Sequence, residues 1–131
     1  MATSDAAALM LRKAAGDLQA LRHMQDVFAF DDTVFGFHAQ QACEKSCKSW
    51  LLHLGRRAPK IHDMRDLVAL LAEAGVSLDD EEAIVDMTDF AVEWRYDEDP
   101  AEPIDRPATV VVCERLYARV AEVTGLELEK R

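Results

Sequence analysis

Apolar residues recur at intervals of three and four along five segments of this chain, and polar residues fill the positions between them. This spacing places the apolar side chains on one face of an α-helix, and the alternation typical of a half-buried strand is nearly absent. The predicted helices lie within about residues 4–25, 32–55, 63–75, 80–94 and 105–124. Four of their apolar stripes are Leu11, Ala14, Ala15, Leu18 and Leu21; Met64, Leu67, Val68 and Leu71; Ile84, Met87, Ala91 and Trp94; and Val112, Leu116, Val120 and Val123.

Residues that typically begin and end helices stand at the edges of these segments. Asp32, Asp63 and Asp105 are predicted N-caps, because a carboxylate accepts hydrogen bonds from the free N–H groups of the first turn. Gly55 and Gly75 suit the left-handed position that follows a helix. Because helices joined by short loops pack as antiparallel neighbours, the sequence predicts an all-α, antiparallel up-and-down bundle of four to five helices. Residues 1–131 fit one domain, with a core over about residues 4–124.

The second predicted helix separates into a small-residue face and a polar face. The first consists mostly of small residues with an aromatic near each end: Phe35, Ala39, Ala42, Cys43, Ser46, Trp50 and Leu54. Gln41, Glu44 and Lys48 share the opposite arc, with His38 and Lys45 at its edge. Small residues allow another helix to approach closely, and a polar stripe needs partners in water, a second subunit or a ligand. We therefore expect a homodimer in which this helix contacts its copy. The alternative is an intrahelical ladder, since Glu44 and Lys48 have the favourable i, i+4 order.

The charge of the chain is strongly acidic but unevenly distributed. A net charge of −10 argues against a general nucleic-acid binder, which needs a cationic surface. Residues 44–65 nevertheless contain six Lys or Arg and two acidic residues, whereas residues 79–105 contain twelve acidic residues and one Arg. One interpretation is two solvated helix faces. The other is a phosphate-binding patch together with an acidic surface for a basic partner.

The cysteines and the hydropathy indicate a cytoplasmic protein without a metal site. Three cysteines do not suggest a disulfide framework, and Cys43 and Cys47, one turn apart, lack the four-ligand spacing of a zinc site. We therefore predict no metal and no cofactor. The N-terminus does not resemble a signal peptide, and no apolar run approaches the roughly 18 residues needed to span a bilayer.

Three blocks of residues resemble the HEPN domain family (higher eukaryotes and prokaryotes nucleotide-binding). They are FHAQQACEKSCK at 37–48, KIHDM at 60–64 and AVEWRY at 91–96, the last followed by Asp97 where the family usually has proline. The resemblance implies a cytoplasmic, homodimeric helical bundle, often paired with a minimal nucleotidyltransferase in toxin–antitoxin-like operons. Members of this branch have been proposed to bind nucleotides, whereas other branches are metal-independent ribonucleases with an Arg-x(4–6)-His motif.

The ribonuclease motif is broken where the resemblance places it. Arg95 matches the position of the arginine, but no histidine follows it anywhere in the chain. A literal match occurs before the third helix, where four residues separate Arg57 from His62 and five separate Arg56 from His62. Because this chemistry needs a fixed cation and an imidazole that moves a proton, a ribonuclease using Arg56 or Arg57 with His62 is the enzymatic alternative.

The preferred interpretation is a non-catalytic binding module with two candidate sites. The predicted phosphate site lies at the corner between the second and third helices, where free N–H groups at the start of the third helix would contribute; it comprises Lys48, Arg56, Arg57, Lys60 and His62. The predicted interface comprises His38, Gln41, Glu44, Lys45, Lys48, Arg95 and Tyr96. The expected partners are a second copy, a nucleotide or RNA, and a minimal nucleotidyltransferase, with no membrane. A third hypothesis is a purely structural interaction protein.

Overall fold

The described part of the chain folds as five α-helices. A computed structural model describes residues 2–60, 62–96 and 103–126, with side chains over 5–60, 62–88 and 103–126. Its helices are α1 (Ala2–His23), α2 (Asp32–His53), α3 (Met64–Glu73), α4 (Glu81–Tyr96) and α5 (Arg106–Thr124), and the described residues contain no strand. The predicted all-α bundle is therefore confirmed. None of the helices in these ranges combines the length and the apolar character needed to cross a membrane.

The predicted capping residues are confirmed except at the start of α2. Asp63 and Asp105 accept hydrogen bonds from the first turns of α3 and α5, and Gly55 and Gly75 have φ angles of 77° and 85°. The N-cap of α2 is Asp31, whose carboxylate accepts from the backbone N–H of Val34 at 3.1 Å. Asp32, predicted as the cap, is the first helical residue. It could not act as the cap because its carboxylate faces the start of α5.

The central element of the bundle is α2, which packs against all four other helices. Its small-residue face is buried except at Leu54, which is exposed, and Phe35 and Ala39 are fully enclosed. Between residues 35 and 51, the positions that reach solvent are Phe37, His38, Gln41 and Lys45. The expected contact of α2 with a second copy therefore cannot use the small-residue face, because the chain's own helices already cover that face.

The predicted apolar stripes form the core, with one correction in α5. The stripe residues of α1 and α3 are buried, apart from the half-buried Ala15, and so are Ile84 and Met87 of α4. Ala91 and Trp94 lie outside the described side chains. In α5, Val123 is 43% exposed and Val112 is half-buried. These two valines lie at the edge of the arc that faces α1 and α2, and that arc is completed by Thr109, Val110, Cys113, Leu116, Tyr117 and Val120.

The connection from α2 to α3 returns along α2. The backbone carbonyl of His62 accepts a hydrogen bond from Gln40 Nε2 at 2.7 Å, which fixes the end of this connection beside the middle of α2. The backbone N–H of Met64 then donates to Thr88 Oγ1 on α4 at 2.7 Å. The segment that carries the predicted basic corner is thereby fastened to two helices at its far end.

A buried arginine holds the opposite end of the bundle together. The side chain of Arg106 is 3% exposed and forms an ion pair with Asp32 at 2.8 Å. Its guanidinium also donates to the backbone carbonyls of Met24, Asp26 and Phe30, and it lies over the ring of Phe35 at 5.1 Å from the centroid. One side chain therefore joins the start of α5, the α1–α2 loop and the start of α2.

Candidate functional site

A buried carboxylate on α2 is the centre of the candidate site. The Glu44 side chain is 5% exposed and accepts hydrogen bonds from Lys48 Nζ at 3.0 Å, Gln40 Nε2 at 2.8 Å and His62 Nδ1 at 3.1 Å. Gln41 Nε2 donates in turn to Gln40 Oε1 at 2.9 Å. The polar residues of α2 thus have hydrogen-bond partners within their own chain. The Glu44–Lys48 pair is the intrahelical i, i+4 contact predicted from the sequence as the alternative to a dimer contact.

Burial and hydrogen bonding act in opposite directions on Glu44. Burial raises the pKa of its carboxyl group, because a charged group loses hydration in the interior. Hydrogen bonds from Lys48, Gln40 and His62 favour the ionised form and outweigh burial, so the pKa lies below its ordinary value of 4.5. Glu44 is therefore a carboxylate at neutral pH and acts as an acceptor toward all three donors.

His62 connects this buried carboxylate to the surface. Its side chain is 75% exposed, with Nδ1 at 3.1 Å from both carboxylate oxygens of Glu44. An ionised carboxylate only accepts hydrogen bonds, so this contact places the hydrogen of the imidazole on Nδ1. When the ring is neutral, Nε2 is then an acceptor. The arrangement presents a histidine whose orientation and tautomer are set from inside the bundle.

The predicted phosphate-binding residues separate into an exposed group and a buried one. Arg56, Arg57 and Lys60 are exposed on the same connection that ends at His62. Lys48 is buried, and its ammonium is paired with Glu44 at 3.0 Å. The expectation that Lys48 belongs to the exposed corner is therefore corrected: the i, i+4 geometry directs it to the carboxylate one turn before it. We call Arg56, Arg57, Lys60 and His62 the basic corner.

The N-terminus of α3 has less capacity for a ligand than expected. The backbone N–H of Met64 donates to Thr88 Oγ1, and that of Arg65 donates to Asp63 Oδ1 at 2.9 Å. The Arg65 side chain also pairs with Asp63 at 3.0 Å, and its hydrogen bond holds the pKa of that carboxyl group below the ordinary value. The helix start is thus largely satisfied by its own surroundings, which leaves the side chains of the basic corner to carry any anion.

The remaining predicted interface residues join α1 to α2 or lie outside the described residues. The carboxylate of Asp17 on α1 lies 2.9 Å from His38 Nδ1 and 2.6 Å from Lys45 Nζ. Glu44 and Lys48 are buried within their own chain, so a partner cannot reach them without opening the bundle. The side chains of Arg95 and Tyr96 lie outside the described residues, as do residues 97–102 of the acidic stretch at 79–105.

The three cysteines are buried. Cys43 Sγ lies 3.7 Å from Cys113 Sγ, and this hydrogen bond, together with burial, raises the pKa of Cys43 well above its ordinary value. Burial and the charge of Glu44 raise the pKa of Cys47 to about 12. The thiols of Cys43 and Cys47 therefore lack thiolate character. Among the described residues, no cluster of three or more His, Cys, Asp or Glu side chains is placed to hold a metal ion.

The sequence alone did not identify three of the residues that organise these contacts. Gln40, four residues before Glu44, carried a signal, because side chains at that spacing meet on a helix. Asp17 carried a weaker signal, since it lies next to Leu18 of the apolar stripe of α1. Arg106 carried none, because nothing local distinguishes it from an exposed arginine in a first helical turn.

Comparison with known proteins leads to the same family as the three sequence blocks and is consistent with the helical architecture. Neither a curated protein nor a solved structure matches the chain. A family model described as the HEPN domain matches residues 7–130, which is nearly the whole chain. This match supports a nucleotide- or RNA-related function in general. From its extent we conclude that the chain belongs to the HEPN domain family.

Proposed function

We propose that this protein is a non-catalytic module that binds the phosphate of a nucleotide or nucleic acid at the basic corner. The observation that carries the proposal is the placement of Arg56, Arg57 and Lys60 on one exposed connection that ends at the carboxylate-held His62. Arginine offers a planar fork that matches two phosphate oxygens, and lysine offers a point charge. His62 is anchored to α2 through both its ring and its carbonyl, which fixes the end of the connection beside α2.

The charge distribution supports a local anion site rather than a general nucleic-acid surface. The whole chain carries a net charge of −10, so a long polyanion is repelled by most of its surface. A small anion that reaches the basic corner meets three cations within five residues of the chain. Binding at an exposed site of this kind is expected to weaken as salt screens the charges.

Replacing Arg57 by alanine is expected to weaken the binding of ATP and GTP about two- to fivefold, the loss typical of one exposed ionic contact. Isothermal titration calorimetry at 50 mM and 300 mM salt measures the effect. The control is Arg12→Ala, which removes another exposed arginine from α1 and should leave the affinity unchanged. No heat with millimolar nucleotide, or equal losses in the two variants, would contradict the proposal.

The second candidate function is a metal-independent ribonuclease that uses His62 with Arg56 or Arg57. The contact between Glu44 and His62 Nδ1 favours this candidate, because a carboxylate that orients an imidazole is a common feature of proton-transferring sites. We nevertheless expect the purified protein to leave a fluorescently labelled RNA intact over hours, since the family arginine, Arg95, has no histidine after it. Cleavage that His62→Ala abolishes would establish the enzyme instead.

We also propose that the protein acts in the cytoplasm as a homodimer paired with a minimal nucleotidyltransferase in a toxin–antitoxin-like system. The resemblance of residues 37–48, 60–64 and 91–96 to that branch of the family supports this pairing. Along the middle of α2, between residues 35 and 51, the positions open to a second copy are Phe37, His38, Gln41 and Lys45. A neighbouring nucleotidyltransferase reading frame would favour the paired module, whereas its absence would favour a structural interaction protein.

A further inference from the structure

We infer that Glu44 positions His62 so that its exposed ring nitrogen accepts a hydrogen bond from a ribose hydroxyl, which makes the site selective for ribonucleotides over deoxyribonucleotides. This inference rests on the phosphate binding proposed above and adds the recognition of the sugar. Arg56, Arg57 and Lys60 bind the phosphate, and His62 accepts a hydrogen bond from the hydroxyl group next to it. Glu44 does not touch the ligand and is a positioning residue.

The carboxylate of Glu44 fixes the tautomer of His62. Nδ1 lies 3.1 Å from both oxygens of the Glu44 carboxylate, and Lys48 and Gln40 donate to the same carboxylate. With two other donors already directed at it, the carboxylate is ionised and can only accept from Nδ1. The hydrogen of a neutral ring therefore resides on Nδ1, and Nε2 carries a lone pair.

The lone pair on Nε2 points toward solvent. The Nδ1 edge of the ring faces a carboxylate whose side chain is 5% exposed, whereas the His62 side chain as a whole is 75% exposed. The exposed part of the ring is thus the edge that carries Nε2. The carbonyl of His62 accepts a hydrogen bond from Gln40 at 2.7 Å, which ties the backbone at this residue to α2.

The lone pair on Nε2 of His62 and the nearby cations suit different chemical groups of one ligand. A phosphate at neutral pH mainly offers acceptor oxygens, which suit the arginines and the lysine but not a neutral Nε2. A hydroxyl group can donate to Nε2, and the ribose 2′-hydroxyl lies on the carbon next to the 3′-phosphate. A ribonucleotide therefore satisfies both halves of the basic corner, and a deoxyribonucleotide leaves Nε2 to water. The 2′-hydroxyl is the group by which proteins distinguish RNA from DNA.

The test compares adenosine 3′-monophosphate with 2′-deoxyadenosine 3′-monophosphate by calorimetry at pH 8, where histidine side chains are generally neutral. We expect the wild-type protein to bind the ribonucleotide about three- to tenfold more tightly, the value of one neutral hydrogen bond. His62→Ala and Glu44→Gln should each remove this preference, and His23→Ala, which removes another exposed histidine, should preserve it. Arg57→Ala should weaken both ligands equally.

Each outcome separates the two proposals. Equal affinity of the wild type for both nucleotides would overturn the inference and leave phosphate binding intact, whereas binding of neither, together with no heat from ATP or GTP, would overturn both. A preference that His62→Ala removes and a folded Glu44→Gln retains would exclude Glu44 as the positioning residue. A matched pair of ten-nucleotide RNA and DNA strands then shows whether the ligand is a free nucleotide or a chain.

A spectroscopic measurement tests the tautomer without any ligand. The ¹⁵N chemical shifts of the His62 ring, assigned by comparison with His62→Ala, should show a protonated Nδ1 and an unprotonated Nε2 at pH 8. Glu44→Gln leaves one acceptor oxygen for three donors and should shift the ring toward the mixed tautomers of a free histidine. A wild-type ring protonated at Nε2 would overturn the inference even if a ribose preference were observed.

Discussion

Replacing Arg106 by alanine is expected to lower the free energy of unfolding by about 4 kcal/mol, the range found when one partner of a buried ion pair is removed. The substitution leaves Asp32 without its cation and removes the donor from the carbonyls of Met24, Asp26 and Phe30. Buried carbonyls that lose their donor retain the cost of desolvation. Urea denaturation followed by circular dichroism at 222 nm measures the change.

Two further variants show whether this effect comes from the arrangement around Arg106 or from the loss of a positive charge. Arg106→Lys keeps the charge but cannot reach both Asp32 and the three carbonyls, so we expect a loss of about 2 kcal/mol. Arg115→Ala removes a 68% exposed arginine that lies 3.7 Å from Asp80, and it should change the stability by less than about 1 kcal/mol. Equal losses for Arg106→Ala and Arg115→Ala would contradict the role assigned to Arg106.

Replacing Glu44 by glutamine is expected to lower the free energy of unfolding by about 3 kcal/mol at pH 7, because it leaves the ammonium of Lys48 buried without an opposite charge. The amide keeps nearly the same volume, so the loss reports charge rather than a cavity. Glu73→Gln, an exposed change at the end of α3, should alter the stability by no more than about 0.5 kcal/mol. Urea titrations of the three proteins provide the comparison.

The same substitution should change how stability depends on pH. The pKa of Glu44 is lowered in the folded protein, so the folded state favours the ionised form more than the unfolded state does. Its contribution is complete above the unfolded pKa, near 4.5, and is lost as the pH falls through the lower folded value. Wild-type stability should therefore decrease more steeply below about pH 5 than that of Glu44→Gln. Parallel pH profiles would contradict the assignment.

The helical architecture was predictable because it depends on local spacing. Caps such as Asp63 and Asp105 and terminal glycines such as Gly55 satisfy or relieve backbone groups within one turn, so their neighbours in sequence suffice to identify them. The stripes of α1 and α3 were predictable for the same reason. Local spacing does not distinguish Asp31 from Asp32 as the cap of α2. Both residues can cap a helix, and the contact of Asp32 with Arg106 on α5 decides between them.

The candidate site was predictable only in part. The cluster of cations at residues 56–60 and the short spacing from Arg57 to His62 are visible in the sequence, and the structure places these side chains at the surface. The burial of Lys48 was not visible. A helical wheel shows which residues share a face, but it does not show whether that face meets solvent, a partner or another part of the same chain.

By itself, the sequence determined the helices, the apolar stripes of α1 and α3, a basic connection after α2 and the family. The tertiary structure alone decided that Glu44 lies inside the bundle and that His62, 18 residues later, turns its Nδ1 toward it. The physical reason is the difference in range between the two kinds of interaction. Helix periodicity and capping act within a few residues, whereas the pairing of a buried charge depends on which distant side chains the packing of all the helices brings to it.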